Sequence, residues 1–255
     1  MKKKIFGVLV VLLLVFGGLL LWLPSRYAVP VLMYHSIDHT SHEPLNNVTP
    51  QTFSRQMAAL RQQGCNVISI KEFAEGMQAG RRFAHKTVVI TFDDGYDDNY
   101  TSALPVLRAY GFPAVLFLAP DHIGTRGYLT WDQIRQMAAN GITIGSHVMG
   151  ETYLPSLQGD KLVWALEESK RLIERELALP VEYLSYPVGG FTHEAQSAAR
   201  NAGYRAAFTT NRGFSRGVDI FALRRIRVKD TDGPWAMMLK TSGYYDLFRS
   251  VKAPF

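Results

Sequence analysis

The chain has 255 residues, of which 47% are hydrophobic and 20% charged, proportions typical of a globular protein with one domain or with one domain and an appendage. The formal net charge is +6, but the basic residues are dispersed, which is typical of a solvated surface and does not indicate a nucleic-acid-binding protein. Cys65 is the only cysteine, which excludes an intrachain disulfide and a thiolate metal cluster.

The first predicted element is an apolar run near the N-terminus. Residues 5–23 carry no charge and follow a segment, 1–4, that contains three lysines. As a helix, this run would rise about 28 Å, close to the roughly 30 Å of a bilayer core. The lysines favour a cytoplasmic N-terminus, with the rest of the chain outside the cell. We therefore predict that residues 1–26 form a single-pass anchor in the cell membrane.

A cleaved signal peptide is the alternative for this run. Such a peptide has an apolar core of about 7–15 residues and a cleavage site of small residues. The run here is longer, and residues 21–24, Leu-Trp-Leu-Pro, do not form such a site.

From residue 29 onward, apolar runs alternate with segments of helical pattern. The predicted strands span residues 29–34, 66–69, 87–92, 114–119, 142–145, 182–186, 205–209 and 223–228. The predicted helices begin at Thr49-Pro50 and end at Gly64, begin at the capping box of Ser69 and end at Gly80, and span about 99–110, 130–139, 159–178 and 192–202.

This strict alternation implies parallel strands joined by right-handed crossovers. Eight short strands in about 200 residues favour an α/β fold, an irregular TIM-like barrel of seven or eight strands. We expect residues 27–230 to form this domain. Residues 231–255 are predicted to add a short helix and a tail to which the sequence assigns no function.

Polar residues follow several of the predicted strands. His35 follows the first strand, Asp93 and Asp94 the third, His147 the fifth and Pro187 the sixth. The carboxyl ends of parallel strands meet on one face of a barrel, where the active sites of such folds lie. The sequence therefore predicts a site built from these residues.

The two adjacent acids are the most specific of these signals. Asp97 and Asp98 follow closely and are suited to cap the next helix, which leaves Asp93 and Asp94 without a structural duty. Neighbouring carboxylates repel each other, so one needs a cation while the other can act as a base.

Residues 91–100, Thr-Phe-Asp-Asp-Gly-Tyr-Asp-Asp-Asn-Tyr, resemble the first motif of the polysaccharide deacetylases, carbohydrate esterase family 4. Residues 29–35, Val-Pro-Val-Leu-Met-Tyr-His, resemble the start of its membrane-associated branch, which includes the biofilm poly-N-acetylglucosamine deacetylases. The similarity covers about residues 29–229. It implies a divalent metal ion, zinc first of all, with cobalt, nickel or manganese as alternatives.

The resemblance also implies residue roles. Asp93 would be the general base that activates the attacking water, and His35 the general acid that protonates the leaving amine. Asp94 and His147 would bind the metal. For His35, the alternative is a core histidine hydrogen-bonded at a strand end.

The chain departs from the family pattern at three places. The second metal-binding histidine is replaced by Glu151, which is either a third ligand or a surface acid in a Gly-rich loop. In the segment Pro187-Val188-Gly189, valine replaces a tyrosine whose backbone N–H helps to hold the oxyanion, a role that any residue's N–H can fill. The arginine that precedes this proline is absent. Arg225 is a possible substitute, with an exposed strand arginine as the alternative.

Two aromatic residues, Tyr128 and Trp131, are candidates for stacking on a sugar ring, although Trp131 is better explained by packing at a helix start. We predict metal-dependent removal of N-acetyl groups from an extracellular or cell-wall polysaccharide that contains N-acetylglucosamine, by a monomer. The resemblance to the biofilm branch favours a β-1,6-linked polymer as the substrate, with peptidoglycan as the alternative substrate. The alternatives are a glycan-binding protein on a decayed deacetylase scaffold and a metal-dependent O-deacetylase.

Overall fold

The computed structural model describes residues 26–39, 46–211 and 219–247. The apolar run 5–23, predicted to be an anchor, lies outside these ranges. Within them, no helix is long and apolar enough to cross a membrane.

Nine strands and seven α-helices are seen in the described residues. The strands are β1 Val31–Tyr34, β2 Asn66–Val67, β3 Thr87–Phe92, β4 Ala114–Leu118, β5 Ile142–Ser146, β6 Tyr183–Ser185, β7 Ala206–Thr209, β8 Leu223–Arg224 and β9 Ile226–Arg227. The helices are α1 Pro50–Gln62, α2 Ile70–Gln78, α3 Leu104–Tyr110, α4 Trp131–Ala139, α5 Gly159–Leu177, α6 His193–Asn201 and α7 Pro234–Lys240. Thr49 and Ser69 cap their helices as predicted, and Thr130 caps α4.

The strands form a nearly closed parallel barrel. Their order is β8-β7-β6-β5-β4-β3-β1-β9, and β2 adds to β3 beside this path. Only Arg225 separates β8 from β9. This short segment therefore pairs with β7 through Leu223 and with β1 through Ile226, which brings the two ends of the sheet together. The predicted TIM-like α/β fold is confirmed, although the predicted single strand 223–228 is divided at Arg225.

One helix also differs from the prediction. Residues 99–110 do not form one α-helix, because Asn99–Ala103 makes a π-helical turn before α3 begins. Pro105 lacks an N–H and cannot make the i→i−4 bond that an α-helix requires at this point.

Alternate strand residues pack in two hydrophobic clusters. The larger cluster lies between the strands and the helices and includes Leu32, Ile90 and Leu116. A second cluster joins Val115 and Phe117 with residues of α2. Because successive side chains on a strand point to opposite faces, the second cluster fills the inside of the barrel. The strand ends are thereby held rigidly around one rim.

The C-terminal helix is bound to the barrel. Lys240 forms a buried ion pair with Asp232 and donates a second hydrogen bond to the carbonyl of Arg227 at 2.7 Å. The side chain of Gln56, on α1, donates to the carbonyl of Asp232 at 3.2 Å. These contacts join the segment after residue 230 to α1 and to β9.

Candidate active site

The predicted site residues follow neighbouring strands of the barrel. His35 directly follows β1, Asp93 and Asp94 follow β3, and His147 follows β5. The parallel order of the sheet puts these strand ends on one rim, as the sequence pattern predicts. Their side chains are buried or nearly so.

Asp93 is held by a buried arginine. Both terminal nitrogens of Arg225 donate to its carboxylate, at 2.6 and 2.7 Å, and the two side chains are 0% and 2% exposed. The alternative of an exposed strand arginine is therefore wrong. Arg225 lies between β8 and β9, in the short segment that closes the barrel.

Other side chains also contact this ion pair. Arg225 also donates to the hydroxyl of Ser185 at 2.7 Å, and its guanidinium lies 5.5 Å from the ring centre of Phe117. Burial by itself would raise the pKa of Asp93, but the charge of Arg225, followed by those of the nearby histidines, holds this pKa well below its usual value. Asp93 is therefore an ionised, rigidly held carboxylate.

Asp94 has a different partner. Its carboxylate lies 3.3 Å from Nε2 of His147, and Nδ1 of His147 is 3.0 Å from the carbonyl oxygen of Ser185. A carbonyl can only accept, so Nδ1 donates to Ser185 and Nε2 is the nitrogen that faces Asp94. With Nε2 unprotonated, its lone pair and a carboxylate oxygen at this distance can bind one cation between them. The pair thus fits a divalent metal ion, with Ser185 orienting the histidine as an outer partner.

The third proposed ligand is not tested by these contacts. The backbone of Glu151 ends a short 3₁₀ turn, Met149–Glu151, but its side chain lies outside the described residues. In the part of the chain that the structure describes, no group of three His, Cys, Asp or Glu side chains is arranged to hold a metal.

His35 lies beside Asp93. Its Nε2 is 4.0 Å from Oδ2 of Asp93, and the residue is 8% exposed. Burial lowers the pKa of His35 to about 4; Asp93 acts in the opposite direction, and Arg225 adds to the lowering. His35 is therefore neutral at neutral pH.

The segment Pro187–Gly189 forms a 3₁₀ turn at the same rim. The N–H of Gly189 donates to the carbonyl of Tyr186 at 2.8 Å, and that of Gly190 donates to Pro187 at 3.2 Å. The N–H of Val188 is the turn's remaining candidate for an oxyanion donor. Val188 has a φ of 57° and is 79% exposed, an unusual conformation for a β-branched residue.

Tyr128 lies next to the turn that carries the acids. Its ring stacks on Tyr96 with centroids 5.2 Å apart, and His122 lies 4.7 Å from it on another side. The amide of Leu129 donates to the carbonyl of Gly95, which ties this aromatic pair to the acidic turn. Trp131 packs against the hydrophobic core, as predicted.

Two groups at this site were not predicted from the sequence. Ser185 contacts both Arg225 and His147, but a serine within a short strand gives no signal of its own. Asp98 was predicted to cap a helix, which is wrong. Its carboxylate makes no cap bond and accepts hydrogen bonds from Ile37 and Ser36, beside His35. The second acidic pair in the motif is the signal from which this role could have been suspected.

Comparisons with known proteins support one family. A family model described as polysaccharide deacetylase matches residues 80–207. The chain is 36% identical over 201 residues to the Bacillus subtilis (strain 168) protein YxkH, covering 78% of this chain and 71% of that protein. It is 30% identical over 148 residues to the poly-β-1,6-N-acetyl-D-glucosamine N-deacetylase of Escherichia coli (strain K12), covering 51% of this chain but 22% of that protein.

A solved structure agrees with these matches. The Streptococcus pyogenes deacetylase PplD in complex with acetate superposes with a TM-score of 0.78 and 25% sequence identity, covering 84% of this chain and 97% of that chain. The family model, the relative in B. subtilis and the acidic turn at the end of β3 agree, and the chain belongs to the polysaccharide deacetylase family.

Proposed function

We propose that this protein removes N-acetyl groups from a polysaccharide that contains N-acetylglucosamine, with a divalent metal ion bound at Asp94 and His147. One observation carries the proposal. The two adjacent acids have separate partners, since Asp93 is paired with Arg225 and Asp94 faces His147. One carboxylate is thereby kept for proton transfer and the other for a cation.

When bound there, a divalent metal lowers the pKa of water and polarises the acetamide carbonyl. Oδ2 of Asp93 accepts the proton of the attacking water, while Arg225 keeps the carboxylate in place. The neutral imidazole of His35, 4.0 Å from that oxygen, takes up the proton and delivers it to the leaving nitrogen. The N–H of Val188 donates to the oxyanion.

Arg225 bears on the choice between enzyme and binder. The family pattern has an arginine before Pro187, and this arginine is absent from the chain. Its absence is one reason to consider a glycan-binding protein on a decayed deacetylase scaffold. Arg225 instead reaches Asp93 from the segment between β8 and β9, which closes the barrel. A pure glycan-binding protein has no need of a carboxylate held in this way, so the contact supports catalysis.

For the substrate, we favour a β-1,6-linked N-acetylglucosamine polymer, the substrate named for the E. coli relative. The stacked pair Tyr96 and Tyr128 offers a flat aromatic surface beside the acidic turn, which suits the apolar face of a sugar ring. We further propose that the protein acts outside the cell, tethered by residues 5–23.

The test is acetate release by the full chain in detergent or vesicles, with and without chelator and with zinc, cobalt, nickel or manganese added back. We expect release from β-1,6-linked N-acetylglucosamine oligomers, loss with chelator and recovery with metal. Peptidoglycan fragments and O-acetylated sugars are the comparison substrates. Release from O-acetyl groups alone would favour the O-deacetylase, and glycan binding without release under any metal would favour the binder.

Glu151 has its own prediction. If it is the third ligand, Glu151→Ala lowers metal affinity and acetate release together, whereas Glu151→His keeps both. The histidine removes a negative charge next to the cation, so the metal acidifies water more and the pH optimum moves down. Metal content and the pH–rate profile are measured, with the exposed Glu167→Ala as control. Unchanged metal content and turnover in Glu151→Ala would make Glu151 a loop acid.

A further inference from the structure

We infer that Asp98 and Asn99 are positioning residues that hold the segment 35–37 and thereby set the imidazole of His35 for proton transfer. The inference rests on the proposed function, and it concerns a buried polar cluster that the mechanism above does not use.

The cluster is joined by short hydrogen bonds. Oδ1 of Asp98 accepts from the N–H of Ile37 at 2.7 Å, and Oδ2 accepts from the hydroxyl of Ser36 at 2.6 Å. Nδ2 of Asn99 donates to the carbonyl oxygen of His35 at 2.8 Å and to Oδ1 of Asp98 at 2.8 Å. Three consecutive residues of the loop after β1 are therefore bound by two consecutive residues of the turn after β3.

The burial of these two residues needs an explanation. Asn99 is 0% exposed and Asp98 is 8% exposed, and a buried carboxylate is costly unless it is well hydrogen-bonded. Asp98 occupies the position before the π-helical turn but makes no cap bond to it. Its carboxylate accepts hydrogen bonds from the loop that carries His35. Helix capping therefore does not explain why Asp98 is buried at this position.

The loop is also bound from the other side. Oδ1 of Asn47 accepts from the N–H of Asp38 at 3.0 Å and lies 3.0 Å from the hydroxyl oxygen of Ser36. The backbone on both sides of Ile37 is thereby restrained. A side chain on such a backbone loses most of its freedom to move relative to the strand ends.

This restraint matters because of one distance. His35 Nε2 lies 4.0 Å from Oδ2 of Asp93, close enough for a proton to pass once the groups tighten around a substrate. Proton transfer is sensitive to such geometry, and a misplacement of about 1 Å can cost about 10²-fold in rate. Asp98 and Asn99 touch no reacting atom and act through His35.

The experiment compares two substrates with the full-chain enzyme. An N-acetylglucosamine oligomer has an amine leaving group that needs a proton, whereas an aryl acetate has a leaving group that needs none. We expect Asp98→Ala to lower kcat for the amide about 10- to 100-fold, part of the 10²–10⁴ that acid–base catalysis supplies. For the aryl acetate we expect a loss of less than about threefold, because His35 is not required as an acid. Asp98→Asn, which can still accept from Ile37, should restore much of the amide rate.

Two comparisons separate positioning from folding. The adjacent and exposed Asp97→Asn removes the same charge and should leave both rates unchanged. In the background of His35→Ala, Asp98→Ala should cause no further loss of amide hydrolysis, since residues that act through one another are not additive. Equal losses on both substrates, or a full loss in the His35→Ala background, would overturn the inference.

The positioning role of Asp98 can be tested even if the proposed function is wrong. Acetate release by the unaltered enzyme decides the proposed function first. If no glycan is a substrate, a crystal structure of Asp98→Ala still tests the positioning, because the imidazole of His35 must move away from Asp93. An unmoved imidazole would refute it. If Asp98→Ala does not fold, Ser36→Ala, which removes one hydroxyl bond to Asp98, takes its place in both measurements.

Discussion

At the residue scale, backbone strain is concentrated around the site. Five non-glycine residues with positive φ occur in the described part of the chain, and Asp94, Val148 and Val188 are among them at this rim. Such conformations cost on the order of 1–3 kcal/mol each and persist where the surrounding structure imposes them. For Asp94, the amide of Gly95 closes the turn by donating to the carbonyl of Asp93 at 2.9 Å. The strained turn is what directs two neighbouring acids to different partners.

Arg225 gives the first prediction at this scale. Arg225→Leu leaves the carboxylate of Asp93 buried without its cation, so we expect the free energy of unfolding to fall by about 3–5 kcal/mol. We also expect acetate release to be lost, because the base is no longer held in place. Urea unfolding and acetate release are the measurements.

The control for this change is Arg171→Leu, which breaks an exposed pair with Glu168. It should cost about 0–1 kcal/mol, because water screens the charges. A similarly small effect in Arg225→Leu would contradict the buried ion pair.

Asp98 gives a prediction on pH. Burial raises the pKa of Asp98 from 3.8 to about 6; the like charges of Asp97 and Asp38 add to the rise, while the bonds from Ser36 and Ile37 oppose it. In this window the folded protein binds the proton more tightly than the unfolded chain does. The contribution of Asp98 to the free energy of unfolding therefore falls as pH rises from about 4 through about 6.

The change Asp98→Asn removes this titration. We compare the free energies of unfolding of the unaltered protein and of Asp98→Asn. The value for the unaltered protein minus the value for the variant should decrease as the pH rises from about 4 through about 6. Thermal unfolding of both proteins at several pH values measures the difference, and other titrating groups cancel because they are common to both. A difference that grows with pH would show that Asp98 is stabilised as the charged form instead.

At the scale of elements, α7 is fastened by one buried ion pair. Lys240→Met leaves Asp232 uncompensated and removes the bond to the carbonyl of Arg227, so we expect a loss of about 3–5 kcal/mol in the free energy of unfolding. The exposed Lys161→Met on α5 should change it by no more than about 0.5 kcal/mol. Chemical denaturation compares the two, and equal effects would show that α7 is not held by this pair.

At the scale of the whole molecule, the prediction concerns topology. A reporter fused after Phe255 should be extracytoplasmic and membrane-bound, because residues 1–4 carry three lysines and residues 5–23 carry no charge. Leu14→Arg places a charge in the middle of the run, at a cost of about 2.5–3.5 kcal/mol, and should weaken insertion. Cell fractionation and protease protection measure both. Recovery of a soluble mature form beginning near Tyr27 would instead indicate a cleaved signal peptide.

The features of the fold that could be predicted from the sequence are those that depend on local pattern. The periods of apolar residues, the caps at Thr49 and Ser69 and the alternation of strands and helices predicted a parallel barrel, with β3 at its observed bounds. The strand-end rule then predicted that His35 and the two acids share a rim with His147. Apolar periodicity, helix caps and strand ends can be recognised in the sequence because each arises from residues that are close together along the chain.

The partner of each acid depends on how the whole chain folds. Arg225 lies 132 positions from Asp93, and the sequence left open whether it was exposed. Asp98 lies 61 positions from Ile37, and the sequence suggested only a helix cap. Both contacts arise because closing the barrel brings β9 beside β1 and β1 beside β3. Such pairings depend on the register and closure of the whole sheet, which no local pattern specifies.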